Sequence, residues 1–179
     1  NQGYVHTTVD AIIQKVGVAK GTFYYYFKSK EEILEAFVHS IVDTLCEEYK
    51  KIAADSTLPV MEKVRQMLRS QSHHLDKQAE WMESLHRPEN RELHERLNIA
   101  IILKIAPVLA QVIEQGNKEA VFHVENALET VQFLLAGSQF LLESGIFHWE
   151  QEEQTKRLQA MQMIIERSLG AAPGSFSFL

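Results

Sequence analysis

Cysteine is nearly absent: the 179 residues hold one, Cys46. That excludes an internal disulfide framework and a cysteine-based zinc site. Glycine (8) and proline (4) are scarce, too few for a turn-rich β-sandwich, a collagen-like chain or a disordered one. No uninterrupted apolar run reaches the roughly 18 residues of a membrane span; Ile99 to Ile113 is broken by Lys104, Pro107 and Gln111. No membrane partner is therefore expected. The opening Asn1-Gln2-Gly3-Tyr4 is not a signal peptide, so a cytoplasmic location is expected. Positive charge is also short, with 18 basic against 24 acidic residues and a net charge of −6. No Gly-rich phosphate loop, serine nucleophile elbow or paired-carboxylate arrangement occurs, so no catalytic residue is assigned and an enzyme is not expected. What remains is an ordinary globular composition, 45% hydrophobic and 23% charged, on a chain long enough to bury a real core.

The charge is unevenly spread. Residues 1–30 carry four lysines (Lys15, Lys20, Lys28, Lys30) and one acid, Asp10, for +3; the remainder carries 14 basic and 23 acidic residues, for −9. A small basic end on an acidic body can meet a polyanion through that end only. The acidic stretches Glu47-Glu48 and Glu150 to Glu153 read as solvated faces.

The apolar spacing is helical throughout, with no β pattern and no internal repeat. Thr7-Thr8-Val9-Asp10 resembles a capping box, and Val9, Ile12, Ile13 and Val16 follow at i, i+3, i+4, i+7. Gly17 is suited to the left-handed conformation after a helix. A second short helix is predicted from about Ala19 to Phe27. Ser29-Lys30-Glu31-Glu32 is a cleaner capping box opening a long helix to about Asp55, with Leu34, Phe37, Val38, Ile41 and Leu45 on one face. Beyond Pro59, one or two amphipathic helices carry Val60, Val64, Met67, Leu68, Leu75, Trp81, Met82 and Leu85. Pro88 opens a helix from Glu89 to about Gln115, ended by Gly116 and kinked at Pro107. Two further helices are predicted, Val124 to Glu143 (ended by Gly145) and Gln151 to Leu169 (ended by Gly170). The tail from Ala171 to Leu179 is expected to be mobile, with Phe176 and Phe178 able to dock.

Residues 7–27 thus make helix, tight glycine-containing turn, helix, an arrangement in which the second helix can enter the DNA major groove. The spacing alone is weak evidence, since any helical hairpin has it. The content of the second helix strengthens it. Lys20-Gly21-Thr22 offers a cation, a residue without a side chain and a hydroxyl. Gly21, a poor helix former, lets the backbone approach a base or phosphate closely. Tyr24-Tyr25-Tyr26 add hydroxyls for phosphates and rings for thymine methyls and sugars.

The stretch Gly3-Tyr4, Thr7-Thr8-Val9-Asp10, Ile13, Gly17-Val18 and Lys20-Gly21-Thr22-Phe23-Tyr24-Tyr25-Tyr26-Phe27-Lys28-Ser29-Lys30-Glu31-Glu32 resembles the DNA-binding signature of the TetR family of bacterial transcriptional regulators. The match is nearly continuous over residues 3–34. The resemblance implies an all-α fold, with an N-terminal helix-turn-helix head joined by a long helix to an antiparallel helical ligand-binding and dimerisation domain. By position, it implies that Lys20, Gly21, Thr22, Tyr24 and Tyr25 face DNA. Thr8 would sit at a helix N-terminus near a phosphate, Lys30 would bind the backbone, and Val9, Ile12, Ile13, Phe23 and Phe27 would form the small core. The sequence departs from the family at Ala19, where serine is usual, and at Tyr26, where histidine is common. It also lacks the family's first helix ahead of Gly3-Tyr4, so the head is expected to begin late. The expected divisions are a head at residues 1–48, a ligand and dimer domain at 49–170 and a tail at 171–179.

The family's two C-terminal helices pair with those of a second subunit. Leu128, Val131, Leu134, Leu135, Phe140, Leu141 and Leu142 cover more than one face of a helix, which must then bury a second side. Gly137, between Ala136 and Ser138, allows close helix approach. The expected homodimer contacts are Leu128, Val131, Leu135, Gly137, Leu142, Leu158, Met161 and Ile165, with Ile164 and Leu169 on the same last helix. The resemblance further implies release from operator DNA by an unidentified small-molecule effector; candidate lining residues are Met67, His74, Trp81, Met82, Leu85, Leu103, Phe133 and Phe140. Each also reads as plain core packing.

No metal or cofactor is expected. Glu83 and His86 have the Glu-x-x-His spacing of di-iron bundles, but no second pair accompanies them. The adjacent His73 and His74 diverge by about 100° on a helix. Cys46 has no basic residue within a turn upstream, so a half-buried apolar role is expected rather than redox sensing. The expected function is a ligand-released repressor binding a near-palindromic operator as a dimer. The alternatives are a helical protein-interaction module with a non-functional DNA head, or an activator or chromosome-organising member of the same family.

Overall fold

The computed structural model describes residues 3–77, 85, 87–142 and 147–178, with the side chains of 71–77 excepted. Its elements are α1 (Gly3–His6), α2 (Val9–Val16), α3 (Lys20–Tyr26), α4 (Lys30–Ala54), α5 (Val60–Lys77), a 3₁₀ turn (Pro88–Asn90), α6 (Arg91–Lys118), α7 (Ala127–Leu141) and α8 (Gln151–Ser168). No strand occurs among the described residues. The predicted all-α class holds.

The head is made by local rules. Thr8 caps α2, its Oγ1 accepting the Ala11 N–H at 3.2 Å. The cap is therefore one residue later than the Thr7–Asp10 box predicts, which leaves Asp10 free to pair elsewhere. Gly17 ends α2 at φ 76°, in the left-handed region that costs glycine nothing. Ser29 caps α4, with its Oγ accepting the Glu32 N–H at 3.2 Å; the Glu32 carboxylate takes the Lys28 N–H at 2.7 Å, one residue ahead of the expected box partner.

Helix α4 leaves the head and becomes the first rod of the body. Its buried stripe is Leu34, Val38, Val42, Cys46 and Tyr49. Phe37, predicted on that stripe, is exposed, and Ile41 and Leu45 are half-buried, because the face in contact with α6 is rotated toward Val42 and Cys46. Cys46 is fully buried rather than half-buried, its thiol 3.5 Å from the Lys104 carbonyl.

Helix α6 is the centre of the body, packing on α4, α5 and α7. The stretch Pro88–Lys118 has a mean hydropathy of 1.8 over 18 residues, long and apolar enough by composition to cross a membrane, which run length alone missed; here it is the core helix. It runs unbroken through Pro107; the carbonyl that proline leaves unpaired belongs to Leu103, on the exposed side. It also runs past Gly116, which was expected to end it. Gly116 is buried in the helix's last turn, where Phe122 lies over it: a Cβ there would fall 2.1 Å from the ring. Helix α7 starts at Ala127 rather than Val124. The Asn117 side chain clips Val124, accepting its N–H at 3.0 Å and donating to its carbonyl at 2.8 Å, so the backbone there is held off the helix. Glu143 and Gly145 lie outside the described residues.

Gly170 ends α8 at φ 61°, packed on His123, whose N–H donates to the Leu169 carbonyl at 2.8 Å. The tail, expected to be mobile, docks. Phe176 is buried and stacks on Phe122 with ring centroids 6.2 Å apart, and its N–H donates to the Glu166 carboxylate at 3.1 Å. Gln162 and the N–H groups of Phe176 and Gly174 hold the Glu166 carboxyl below the ordinary glutamate range. Lys63 is likewise buried; its ammonium donates to the Ala53 carbonyl at the end of α4 (2.6 Å) and to Gln115 Oε1 on α6 (2.7 Å). A cation at a helix C-terminus is favourably placed, and here it ties three helices together.

Candidate nucleic-acid interface

The candidate interface is α3 with the residues around it. Only Phe23 of α3 is buried; it meets Tyr24 edge-on at 5.6 Å and Phe27 at 5.9 Å. Val9, Ile12, Ile13 and Phe27, expected in the small core, are half-buried, because two helices this short cover each other on one side only. With Phe23 turned inward, the opposite face of α3 is bare. Lys20, Gly21, Thr22, Tyr24 and Tyr25 are all exposed, Tyr25 by 80%, and Tyr26 joins them at 68% with its ring edge-on to Tyr25 at 5.1 Å. Tyr26, which the run of three tyrosines offered but the position-by-position assignment left out, is thus exposed with the assigned residues. A Cβ on Gly21 would meet nothing within 4 Å. No packing inside the chain requires a glycine there.

The cations differ in their freedom. The Lys20 ammonium bonds the Asp10 carboxylate of α2 at 2.9 Å, and that bond holds it above the ordinary lysine range. Lys30 turns inward, toward α1: its ammonium donates to the Val5 carbonyl at 3.3 Å and lies 4.1 Å over the Tyr4 ring. That contact orients Lys30 away from the open position assumed from sequence. Thr8 stands exposed at the N-terminus of α2, its hydroxyl engaged in the cap.

The head also touches the body away from α4. The Tyr4 N–H donates to Asn90 Oδ1 at 2.6 Å, and α1 packs on the 3₁₀ turn. Sequence reasoning missed this contact, which joins residues 86 positions apart. Nearby, Arg96 of α6 bonds Glu35 of α4.

Among the described residues, the predicted ligand residues are not brought together in one place. Met67 and Leu85 are core residues, whereas Leu103, Phe133 and Phe140 stand outside, Phe133 exposed by 79%. Phe133 and Phe140 are thus exposed side chains of α7. The side chain of His74, with Trp81 and Met82, lies outside the described residues, as do His73, Glu83 and His86 of the metal reading. A groove of about 330 Å³ between α4 and α6 is walled by Val38, Ile99, Ala100 and Leu103, with Glu35, His39, Arg96 and Lys104 at its polar edge. Leu103 is the predicted residue it includes. Among the predicted dimer contacts, Val131 is buried within the chain, which removes it from any open face. Leu128, Leu135, Leu142, Met161 and Ile165 are half-buried, and Gly137 and Leu158 are exposed.

Residues 1–37 match the model of the bacterial regulatory proteins of the tetR family, and residues 73–164 match the tetracyclin repressor-like C-terminal domain. The chain belongs to the TetR family. That family consists of DNA-binding transcriptional regulators rather than enzymes. The chain is 33% identical over 60 residues to the HTH-type transcriptional repressor KstR2 of Mycolicibacterium smegmatis, covering 34% of this chain and 29% of that protein. It is 39% identical over 56 residues to an uncharacterized HTH-type transcriptional regulator of Haemophilus influenzae, covering 31% of this chain and 29% of that protein. The aligned part thus spans less than a third of either relative. A crystal structure of a transcriptional regulator from Cytophaga hutchinsonii superposes with a TM-score of 0.57 at 20% identity, covering 94% of this chain and 89% of the other. It shares the fold.

Proposed function

We propose that the protein is a repressor that binds a near-palindromic operator as a homodimer in the bacterial cytoplasm and is released by a small-molecule effector. The observation that carries the DNA reading is the bare face of α3, where a glycine without any intramolecular need sits beside a lysine, a threonine and exposed tyrosines. That is the composition of a helix that another molecule's backbone approaches closely. Lys20, Gly21, Thr22, Tyr24 and Tyr25 would meet the major groove, with Tyr26 at its edge. Thr8 and, once released from Tyr4, Lys30 would take phosphates.

The dimer reading is supported by apolar side chains left open on two neighbouring helices: Phe133, Phe140 and Leu141 on α7, and Leu158, Met163 and Ile164 on α8. Exposed apolar groups concentrated on adjacent helices mark a surface that needs covering. A two-fold axis through it would set two copies of α3 about one DNA turn apart. An effector that favours a different spacing of the heads would then release the operator.

Selection of random duplex DNA by the full-length protein tests the whole reading. The expected product is a two-fold symmetric motif with half-sites roughly 34–36 Å apart. Recovery of no motif at low salt, where phosphate contacts are strongest, overturns it.

A further inference from the structure

Lys20 is the first residue of α3, at the end of a recognition helix that contacts base edges. It is also where a cation is least welcome, against the positive end of the helix dipole. Asp10 relieves that conflict from across the turn, with its carboxylate 2.9 Å from the ammonium. Both side chains are largely exposed, 64% and 74%, so the pair faces the same solvent that DNA would enter. Asp10 sits in the first turn of α2, where its own helix dipole favours it. It is the one acid among residues 1–30. Among the described residues it is also the head's one side-chain ion-pair partner for a lysine of α2 or α3.

From this juxtaposition we infer that Asp10 is a specificity residue acting through Lys20: it withholds the Lys20 ammonium from arbitrary phosphates while holding it at the position the operator meets. The inference rests on the DNA-binding reading above. A lysine held by a carboxylate can neutralise a phosphate, and so release a cation condensed on the DNA, only by loosening that pair, which weakens its share of sequence-independent binding. One of its three donors is spent on Asp10 and two remain for a base edge or phosphate brought to that spot. Discrimination then rises because the non-operator state loses a cation that the operator state keeps.

The test is Asp10→Asn in the full-length protein, measured by fluorescence anisotropy over a salt series. One duplex has mixed sequence; the other carries the selected operator motif. Binding to mixed-sequence DNA should tighten about two- to five-fold, the range an exposed ion pair can supply, and its log–log salt slope should steepen by about 0.9, one added phosphate contact. Operator affinity should change less, so that the ratio of the two falls. In a Lys20→Ala background the same substitution should have no such effect. Equal tightening on both duplexes, no change on mixed-sequence DNA, or the same gain without Lys20 would each overturn the inference. A wild-type protein that binds neither duplex would refute the regulatory reading itself, and this inference with it.

Discussion

The head and the body obey different economies of burial. In residues 3–27 one side chain, Phe23, is fully buried, and the outward face carries tyrosines, lysines and an unpacked glycine. In the body, Val42, Val60, Met67, Leu85, Val112 and Phe122 are all but inaccessible, and even a lysine and a glutamate are enclosed with partners. The difference teaches where each region's stability comes from. The body is held by its own close-packed core. The head is held by caps, one aromatic cluster and what the body lends it through α4 and Asn90. A surface built to touch another molecule cannot also be spent on a core.

The largest effect should come from cutting the body's core. Phe122→Ala removes the ring that covers Gly116 and stacks on Phe176, and should cost about 3–5 kcal/mol in denaturant unfolding. If it costs under 1 kcal/mol, as a surface substitution does, the contrast between the regions collapses. In the head, Lys20→Ala or Tyr25→Ala should leave unfolding nearly unchanged and weaken operator binding by about 1–3 kcal/mol; unchanged affinity in both would remove the assigned face. Asn90→Ala, which takes away the acceptor of the Tyr4 N–H, should cost about 1 kcal/mol. The loss should fall on the head, as faster amide exchange over residues 3–27 with the body's core amides unchanged. The smallest effect is set by pH. Glu166 titrates in the folded state below its unfolded value, so the anchorage it gives the tail is complete above the unfolded value and is lost as the pH falls through the folded one. Proteolysis of residues 171–178 should therefore accelerate on acidification, and an unchanged rate would sever the tail from Glu166.

Much of this was legible in the chain. Gly17, Ser29 and Gly170 mark helix ends through chemistry confined to a few residues, and the structure uses each of them as an end; the cap of α2 was legible to within one residue, at Thr8 rather than Thr7. The exposed face of α3 was legible for the same reason, since three consecutive tyrosines cannot all turn inward. What failed to show were meanings that depend on distant partners. Gly116 reads as a stop until Phe122 is laid over it. Phe176 and Phe178 look like loose ends until Glu166 and Phe122 receive the first of them. Phe133 and Phe140 are apolar positions that periodicity counts without saying which side is covered, and in the single chain both are exposed. Lys63 carried no signal at all, because its two partners lie on other helices.

The contact between Tyr4 and Asn90 gives the head a second point of attachment besides α4. A body mounted on one rod can swivel about it; a body held at two points cannot, unless one lets go. Turning about the α4 axis therefore strains the 2.6 Å hydrogen bond together with the packing of α1 on the 3₁₀ turn. The head is thus braced against swivelling on α4 by a backbone amide and an asparagine.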